Sequence, residues 1–517
     1  MNARDGKSPM RRADVVVVGL GPVGTLLTHL LGRRGWRVMA FDRLRSIVDL
    51  PRAVHFDAEA MRVFQAAGVA RVLRASLRPV RGMHFLNEAG QLIYRFDAEA
   101  GFGPLGWHQG YMFHQPDLDR VLRTAASGVP DVELVLGQEV LTSETSESGV
   151  VVKSRGAHGD LAVAARYVVW CSGAGNGSRR PFESGVHDFE FDQTWLAIDV
   201  LLDSPALLPD TTVQYCEIPR PSTYVRLPGN RRRFEVRVLP GESPERFLSD
   251  SAIDAFLQRW LPAGGYRVER ATAYTFHALV AERWRSGRAL IAGDAAHQMP
   301  PLLGQGLCAG IRDVANLEWK LDAVLRRQAR PSLLDTYRSE RQPHVRAILR
   351  DALALGVEIH RADASSARSR DTEALASGAA TRLEPRWYPV GDGLCTQAAP
   401  ARFPFPQPLL ADGRRHDRRL SSGFAFIGPR RFAAAVEARL GGLGVVQIHD
   451  PEPAIRDWLA AHDVTLVVVR PDRLVLGVGS SLDDLETILR PLAVHLDGIP
   501  DTDDSTAVRL RSSTSVT

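Results

Sequence analysis

A glycine-rich turn near the start of the chain is suited to holding a pyrophosphate. It follows the β-branched run D-V-V-V-V at 14–18 and opens a segment whose apolar residues recur at helical spacing. Glycines permit a tight turn and let backbone N–H groups approach a phosphate at a helix N-terminus. A second strand ends at Asp42, 23 residues after the first glycine, where a carboxylate would accept ribose hydroxyls. The expected dinucleotide contacts are Gly19, Gly21, Pro22, Val23, Gly24 and Asp42.

This first motif leaves the identity of the dinucleotide open. Arg43 and Arg45 follow Asp42 and could neutralise a 2′-phosphate, so FAD, NAD and NADP all remain candidates. The stretch G-D-A-A-H-Q-M-P-P-L-L-G-Q-G at 293–306 favours FAD. It places Asp294 at the end of a strand and then leads a loop into a helix N-terminus, which suits a cofactor with both a ribityl chain and a ring. Pro300 and its neighbour stiffen this loop.

Composition narrows the classes of partner. The chain has 517 residues, and about 150 residues per domain predicts about three domains. A net charge of only +4 over this length argues against nucleic acid. The four cysteines lie far apart without C-x-x-C spacing, so we expect neither a disulfide framework nor a metal site, and we expect a reducing cytoplasmic location. No apolar run approaches the length of a membrane span, so no membrane partner is expected.

The elements that must position these motifs follow from periodicity. Short strands joined by polar turns at 132–170 predict a β-meander over the first sheet. Alternation with a period of two over 191–241 predicts an antiparallel sheet that could wall a pocket. Residues 289–326 predict a buried strand, a loop and a long helix starting near Leu307. Polar and Pro-rich stretches after residue 361 predict a linker, followed by a small α/β unit.

Taken together, these motifs resemble the class A flavoprotein aromatic hydroxylases, in particular 3-(3-hydroxyphenyl)propionate hydroxylases and related phenol and polyketide hydroxylases. The resemblance runs in order over residues 13 to about 350 and includes G-L-G-P-V-G, F-H-Q-P-D-L-D-R-V-L, R-R-R-F-E-V-R-V-L-P-G-E and A-L-I-A-G-D-A-A-H-Q-M-P-P-L-L-G-Q-G. Beyond the first turn, the FAD contacts that it implies are Arg43, Arg52, Gln115, Val140, Gly173, Gly293, Asp294, Gly304, Gln305, Gly306, Leu307 and Cys308.

The resemblance also implies a reaction. FAD is reduced by NADPH or NADH, captures O2 as a C4a-hydroperoxide, and transfers one oxygen to a phenolic aromatic acid such as 3-(3-hydroxyphenyl)propionate. A general base near the phenol hydroxyl would assist. The candidates for contact with the substrate are His55, Tyr111, Tyr224 and His277, with Pro300 in the loop beneath the ring. The alternatives are a tailoring oxygenase acting on an aromatic polyketide and a flavin-bound scaffold without turnover; a homodimer is left open.

One position departs from the family pattern. The strand Y-V-V-W-C runs into Ser172 and Gly173, where the family usually has an Asp-Gly pair near the FAD pyrophosphate. Asn176 and Gly177 continue the departure, while Arg179 still falls at the family's basic position. Serine keeps a hydroxyl but removes a charge. We therefore expect FAD binding to survive and the use of NAD(P)H to be the property in question, with an active hydroxylase favoured.

These observations predict an α/β fold. A Rossmann-like FAD-binding domain of the GR2 type is expected over residues 12–75, 110–185 and 275–365. An inserted antiparallel-sheet substrate domain is expected over 76–109 and 186–274. A linker at 366–408, a thioredoxin-like C-terminal domain at 409–500, lacking the cysteine pair, and a tail at 501–517 complete the chain.

Overall fold

The protein is a mixed α/β fold with several sheets. The computed structural model describes residues 10–48, 52–175, 182, 185–204, 208–262, 264–361, 363–376 and 378–496. Its α-helices are Pro22–Arg33, Ala58–Ala66, Ala70–Leu73, Gln115–Ser127, Asp250–Leu257, Gly306–Leu325, Asp335–Ile359, Ala364–Leu375, Ala433–Leu440, Pro453–Ala461 and Leu482–Leu496. Within these ranges, every helix is too short or too polar to cross a bilayer.

A six-stranded sheet, here called the parallel sheet, carries the first glycine turn. Its strands lie in the order Arg285–Ser286, Ala289–Ile291, Tyr167–Trp170, Val15–Val18, Val38–Asp42 and Val132–Leu136. All neighbouring pairs are parallel except the first, which is antiparallel. The four valines of Val15–Val18 are buried, as expected of a strand covered on both faces. The strand therefore ends in the interior, directly at the glycine turn.

The predicted meander forms a separate four-stranded sheet. Its strands lie in the order Arg11–Arg12, Gly159–Ala165, Val150–Gly156 and Gln138–Thr145. The last three pair antiparallel through polar turns, as the alternation in this part of the chain predicts. A small three-stranded sheet of His55–Asp57, Gly110–Met112 and Arg78–Pro79 lies where the chain passes between the larger sheets.

A nine-stranded sheet, here called the large sheet, includes the predicted antiparallel strands. Its order is His297–Gln298, Tyr266–Ala281, Val186–Leu202, Arg231–Arg237, Ser222–Arg226, Thr212–Tyr215, Gly82–Leu86, Leu92–Asp97 and Thr381–Arg382. Both edge strands come from outside the segments that alternation marks. One face packs on an apolar cluster with the helix Asp250–Leu257, so the other face is left to line a cavity.

The segment predicted as a linker, 366–408, carries structure of its own. It begins inside the helix Ala364–Leu375 and adds the strand Thr381–Arg382 to the large sheet. Beyond it, four strands in the order Val446–Ile448, Ala425–Ile427, Leu466–Val469 and Val475–Gly479 form the C-terminal sheet. The first two are parallel and the remaining pairs are antiparallel.

A buried ionic cluster joins the C-terminal unit to the rest of the chain. Glu340, on the helix Asp335–Ile359, accepts hydrogen bonds from Lys320 Nζ at 2.7 Å and from Arg470 Nη1 and Nη2 at 2.7 and 2.9 Å. Asn316 Nδ2 and the backbone N–H of Leu394 donate to the same carboxylate at 2.7 and 2.9 Å. Burial opposes ionisation of Glu340, but Arg470 and Lys320 outweigh it and hold the pKa well below its usual value.

Replacing the Glu340 carboxylate should weaken the packing of the C-terminal unit on the helix Asp335–Ile359. We expect Glu340→Gln to lower the free energy of unfolding by about 3–5 kcal/mol, because the buried Lys320 loses its carboxylate partner and Arg470 keeps only Asp472 as an acidic partner. Thermal or urea unfolding measures the change. The control is Glu486→Gln, whose exposed ion pair with Arg439 should contribute about 0–1 kcal/mol. Equal stability of the two variants would contradict the prediction.

Candidate functional site

A single continuous cavity of about 1790 Å³ lies between the parallel sheet and the large sheet. At one end it is lined by the glycine turn and Asp42, and in the middle by the loop 293–306. The exposed face of the large sheet forms the other end, and residues 383–388 of the predicted linker form an outer wall. Both glycine-rich motifs therefore open into the same space.

The glycine turn leaves room for a bulky group at the start of a helix. Gly19 has φ +100°, and a Cβ there would lie 2.5 Å from the Cys171 carbonyl oxygen. A Cβ on Gly24 would lie 1.9 Å from the Gly19 carbonyl oxygen, so this glycine allows helix and strand to pack closely. A Cβ on Gly21, the N-cap of Pro22–Arg33, would meet nothing within 4 Å. Free N–H groups at this open helix end fit a pyrophosphate.

Asp42 is held by the backbone on both sides of it. Its Oδ2 accepts from the Leu20 N–H and its Oδ1 from the Leu44 N–H, both at 2.9 Å. Asp119 lines the same end of the cavity, where burial raises the pKa of its carboxyl to about 7. Arg123 lies 3.7 Å from Asp42 and donates to the Leu20 carbonyl at 3.1 Å. This end of the cavity therefore presents a fixed carboxylate and a guanidinium.

The loop that begins at Gly293 is held from behind by a buried carboxylate. Asp313, on the helix Gly306–Leu325, accepts from the Gly293 N–H at 3.1 Å and bonds His297 Nε2 at 2.6 Å. Its other oxygen accepts from Arg341 Nε at 2.9 Å. Burial alone would raise the pKa of Asp313, but His297 and Arg341 outweigh it and hold the pKa below its usual value. His297 is thus a brace of the loop rather than a cavity residue.

Asp294 faces the cavity from this braced loop. The Asp294 side chain is exposed to the cavity, and the cavity itself lies between the two sheets. Desolvation raises the pKa of its carboxyl, although the charges of His297 and Arg52 partly oppose the shift. A hydroxyl-rich chain bound alongside would satisfy such a carboxyl. The position therefore fits the ribityl contact that the resemblance implies.

The far end of the loop delivers a helix N-terminus to the cavity. Gly304 is left-handed with φ +62°, and the helix Gly306–Leu325 starts two residues later. Its first N–H groups have no acceptor within the helix, so they offer a positive end to an electron-rich ring edge. Gly304, Gln305, Gly306 and Leu307 line the cavity. Pro300 lines it too, from the same loop.

His55 stands beside this helix end. Its Nδ1 lies 3.3 Å from the Gly304 carbonyl oxygen, which can only accept, so Nδ1 carries the proton and Nε2 is left as an acceptor. Nε2 packs over Gly110, where an added Cβ would lie 2.5 Å away. Burial lowers the pKa of His55, and Asp57 only partly opposes this. A neutral imidazole with one unprotonated nitrogen therefore lines the cavity.

The remaining predicted cofactor residues lie around the same end. Gln115 Oε1 accepts from the N–H groups of both Arg52 and Ala53 at 2.9 Å, which anchors the segment that carries Arg52. Arg43, Val140, Ser172 and Gly173 also line the cavity. Asn176, Gly177 and Arg179 lie outside the described residues.

The large sheet contributes a mixed wall. Trp195 and Ala197 face the cavity from Val186–Leu202, and Thr223 and Val225 from Ser222–Arg226. Arg233 and Glu235 follow the same alternation on Arg231–Arg237. Together with Met112, Phe276 and Gln214, these side chains form an aromatic and aliphatic surface with a few polar groups. Such a surface suits a flat ring bearing hydroxyls.

The structure does not bring Tyr111 and Tyr224 to the cavity. Alternation points Tyr224 into the core behind the large sheet, where its hydroxyl donates to the Pro209 carbonyl at 3.0 Å. The Tyr111 hydroxyl accepts from the His108 N–H at 3.2 Å, and its ring packs on Phe56. Both tyrosine side chains pack inside the protein, outside the cavity lining. The prediction that Tyr111 and Tyr224 contact the substrate is therefore corrected.

Other predicted residues take different positions. His277 lines the cavity where its ring is exposed and pairs with Asp192. Gly24, Gly293 and Cys308 lie behind the cavity surface: Gly24 packs on Gly19, Gly293 on Val23, and the buried Cys308 thiol faces the Gly304 carbonyl at 3.8 Å. Their support of the cofactor would be through the shape of the turns.

Sequence reasoning missed several charged residues of the site. Glu235 and Arg233 line the wall, Asp313 braces the loop, and Arg312 joins Asp57 and Glu59 across the helix end. The alternation in R-R-R-F-E-V-R could have placed Arg233 and Glu235 on one face. No local signal in the sequence pairs Arg312 with Asp57, because the two are far apart in the chain.

Comparison with protein families matches most of the chain. A model described as an FAD binding domain matches residues 12–352, and one described as the HcaD C-terminal domain matches residues 411–493. The chain is 32% identical over 516 residues to a probable NADH-specific resorcinol 4-hydroxylase of Rhodococcus jostii, covering 95% of this chain and 96% of that protein. It is 32% identical over 515 residues to a 3-(3-hydroxy-phenyl)propionate/3-hydroxycinnamic acid hydroxylase of Burkholderia vietnamiensis, covering 90% and 93%.

Solved structures share the fold. The rebeccamycin biosynthetic enzyme RebC with reduced flavin matches with a TM-score of 0.77 at 20% identity, covering 94% of this chain and 99% of that one. Aklavinone-11 hydroxylase in complex with FAD and aklavinone matches with a TM-score of 0.76 at 22% identity, covering 96% and 100%.

Removing the carboxylate behind the loop should loosen the flavin site. We expect Asp313→Asn to lower the free energy of unfolding by about 3–5 kcal/mol and to reduce the FAD retained on purification, because Gly293, His297 and Arg341 lose the shared negative charge and one of the two acceptor oxygens becomes an NH2 donor. Flavin absorbance and chemical unfolding measure both. Asp335→Asn, which removes an exposed partner of Arg285, is the control.

The difference in the free energy of unfolding between wild type and Asp313→Asn should depend on pH in one direction. A carboxyl whose pKa is lowered by folding stabilises the native state above its unfolded pKa of about 3.9, and loses that contribution as the pH falls through the folded pKa. The stability gap between wild type and Asp313→Asn should thus be constant from about pH 5 upwards and shrink below about pH 4. A gap that widens on acidification would contradict the assignment.

Proposed function

This chain belongs to the FAD-dependent aromatic hydroxylases, and we propose that it uses NADH and O2 to hydroxylate a small phenol. The relatives named for resorcinol and for 3-(3-hydroxyphenyl)propionate frame the substrate class. The observation that carries the proposal is the continuous cavity, which joins both glycine-rich motifs to the aromatic wall of the large sheet. A cofactor and a flat substrate would therefore meet at the loop 293–306.

We assign the FAD contacts by position along the cavity. Gly19, Gly21 and the helix N-terminus behind them would hold the pyrophosphate, with Asp42 on the ribose. Asp294 would bind the ribityl chain, and the helix end at Gly306 would stabilise negative charge on the ring edge. Arg52 and Gln115 would lie near the phosphates and Val140 near the adenine. When bound, FAD stores electrons from NADH and activates O2 for transfer to an aromatic carbon.

The chain's own residues would orient the phenol and exclude water. Trp195, Met112 and Val225 supply apolar contacts for the faces of the ring. His55 would accept the phenol proton at Nε2, since Nδ1 already donates to Gly304 and the lowered pKa keeps the ring neutral. Loss of that proton makes the ring more electron-rich. Pro300 would keep the loop rigid beneath the reacting groups.

The architecture fits the same proposal. The parallel sheet with the meander would form the FAD domain, at 12–75, 110–185 and 275–365, and the large sheet the substrate domain, at 76–109 and 186–274. The boundary between residues 274 and 275 falls within the strand Tyr266–Ala281, which runs from the substrate domain into the FAD domain. The C-terminal unit has the order β-α-β-α-β-β-α with the second strand outermost, as in a thioredoxin-like fold. All four cysteines of the chain precede residue 409, so this unit has no cysteine pair for redox chemistry.

Reduction by NADH tests the proposal and the Ser172 position together. We expect anaerobic stopped-flow mixing with NADH to bleach the flavin rapidly, faster than with NADPH, and faster still when a phenol is bound. Ser172→Asp should change the rate little, because the Ser172 side chain is exposed at the cavity rim. Ser148→Asp, in an exposed turn, is the control. Slow bleaching that Ser172→Asp restores would show that the serine had cost the protein its use of nicotinamide.

The role of His55 predicts a split between the two half-reactions. We expect His55→Ala to slow product formation by about a hundredfold while reduction by NADH persists. Wild-type turnover should fall as the pH drops through the lowered pKa of His55 and stay level above it, since the base must be unprotonated. His158→Ala, on an exposed turn, is the control. An unchanged pH profile in His55→Ala would exclude this base.

A further inference from the structure

The charged side chains that line the cavity from the strand Arg231–Arg237 are Arg233 and Glu235, and they belong to a buried cluster with Asp199 and Arg270. Asp199 takes a bidentate contact from Arg233, with Nε at 2.7 Å and Nη2 at 3.0 Å. Arg270 Nε donates to the same carboxylate at 3.1 Å. Glu235 lies 3.6 Å from Arg233 Nη1. Two guanidinium groups thus meet two carboxyl groups.

Arg233 is the guanidinium of this cluster that reaches the cavity, and it already has several partners. Besides the two contacts with Asp199, its Nη1 donates to the Arg52 carbonyl at 3.0 Å. Its side chain is only 3% exposed. A guanidinium has five N–H groups in a fixed planar fork, and here at least three make hydrogen bonds and Nη1 also faces Glu235, so a new anion would compete with these partners.

Among the described residues, the other arginines that line the cavity near the sheet end are paired as well, while Arg237, on the same strand as Arg233, does not line it. Arg312 donates to Asp57, to Glu59 and to Gln305 Oε1. Arg386, in the outer wall, contacts Asp351 at 2.9 Å. His277 pairs with Asp192, while burial lowers the pKa of His344 well below its usual value and keeps it neutral. Among the described residues of this region, the lining carboxylates outnumber the arginines: Asp57, Glu59, Glu99, Glu235, Asp351, Glu358 and Glu384.

One carboxyl group that lines the cavity, that of Glu235, is already destabilised in its charged form by burial. Burial raises the pKa of Glu235, and the nearby Arg233 does not reverse the shift. A carboxylate brought in on a substrate would meet the same desolvation, and the described arginines that line this end of the cavity already have acidic partners. The lining arginines that do remain, Arg43, Arg52 and Arg123, lie with Asp42, Asp294 and the glycine turn, where the two cofactor phosphates are assigned.

We propose that the substrate is an uncharged phenol and that the cavity discriminates against phenols bearing a carboxylate. Gln193, Thr212, Gln214 and Thr223 line the same wall and supply neutral donors and acceptors for hydroxyl or amide groups. This specificity rests on the proposed hydroxylase function, and its physical source is the sheet cluster of Asp199, Arg233, Glu235 and Arg270.

A matched pair of probes isolates the charge. 3-(3-Hydroxyphenyl)propionate and its primary amide have nearly the same shape and differ by one negative charge. Binding of each to the oxidised FAD holoenzyme is measured from the perturbation of flavin absorbance at neutral pH. The amide is expected to bind at least about tenfold more tightly. A carboxylate that binds as tightly as the amide, or an amide that does not perturb the flavin up to its solubility limit, overturns the proposal.

Turnover separates this proposal from the one on which it rests. Product analysis follows with resorcinol, the amide and the carboxylate, each with NADH and O2. Hydroxylation of the uncharged phenols in preference to the carboxylate supports both proposals. Tighter binding of the amide with no hydroxylated product from any phenol would overturn the hydroxylase function while the charge preference stands.

A variant tests the source of the discrimination. Glu235→Gln removes one carboxyl from the wall, so the preference for the amide should shrink by about threefold or more. Glu217→Gln, whose ion pair with Arg259 lies outside the cavity lining, should leave the preference unchanged. A preference that is the same in all three proteins would overturn the role of the sheet cluster. The comparison of probes on the wild type stands even if Glu235→Gln fails to fold.

Discussion

The buried carboxylate of Asp313 holds together the parts on which the cavity depends. It forms hydrogen bonds with the Gly293 N–H, His297 and Arg341. It therefore joins the loop 293–306, the edge strand of the large sheet and the two long helices that carry Asp313 and Arg341. A buried charge of this kind is tolerated only with its partners in place. The loop is therefore not an independent motif: its shape, and with it the direction of Asp294 and of the helix end at Gly306, depends on side chains from elsewhere.

The same two helices extend this support to the C-terminal unit. Asn316 and Lys320 follow Asp313 at helical spacing, and Glu340 precedes Arg341. Glu340 gathers Asn316, Lys320 and, from the C-terminal sheet, Arg470. The two ionic clusters, around Asp313 and around Glu340, lie on the same pair of helices and thus link the loop 293–306 to the C-terminal unit. Because both clusters are buried, the last unit packs as part of the body rather than as a tethered module.

Charge is divided along the cavity. The end with the glycine turn combines a helix N-terminus with Arg43, Arg52 and Arg123, which favours phosphates. Among the described residues that line the cavity near the large sheet, each arginine has an acidic partner and the carboxyl groups outnumber the arginines, which would disfavour a second anion. This division of charge along one continuous space fits an anionic cofactor at one end and, as proposed, an uncharged ring at the other.

Local pattern alone determined the two glycine-rich motifs, the valine-rich strands and the alternating strands, because a turn, a helix start or a period of two is set by neighbours in the chain. It also placed Asp42 and Asp294 at strand ends. Alternation in the strand Ser222–Arg226 already separates Tyr224 from the cavity, but which face of the strand is buried depends on the helix packed behind it. The pairing of Arg312 with Asp57, of Arg233 with Asp199 and of Asp313 with Arg341 was decided only by the tertiary structure. Each of these joins distant segments, and a charge finds its partner only after the sheets and helices have packed.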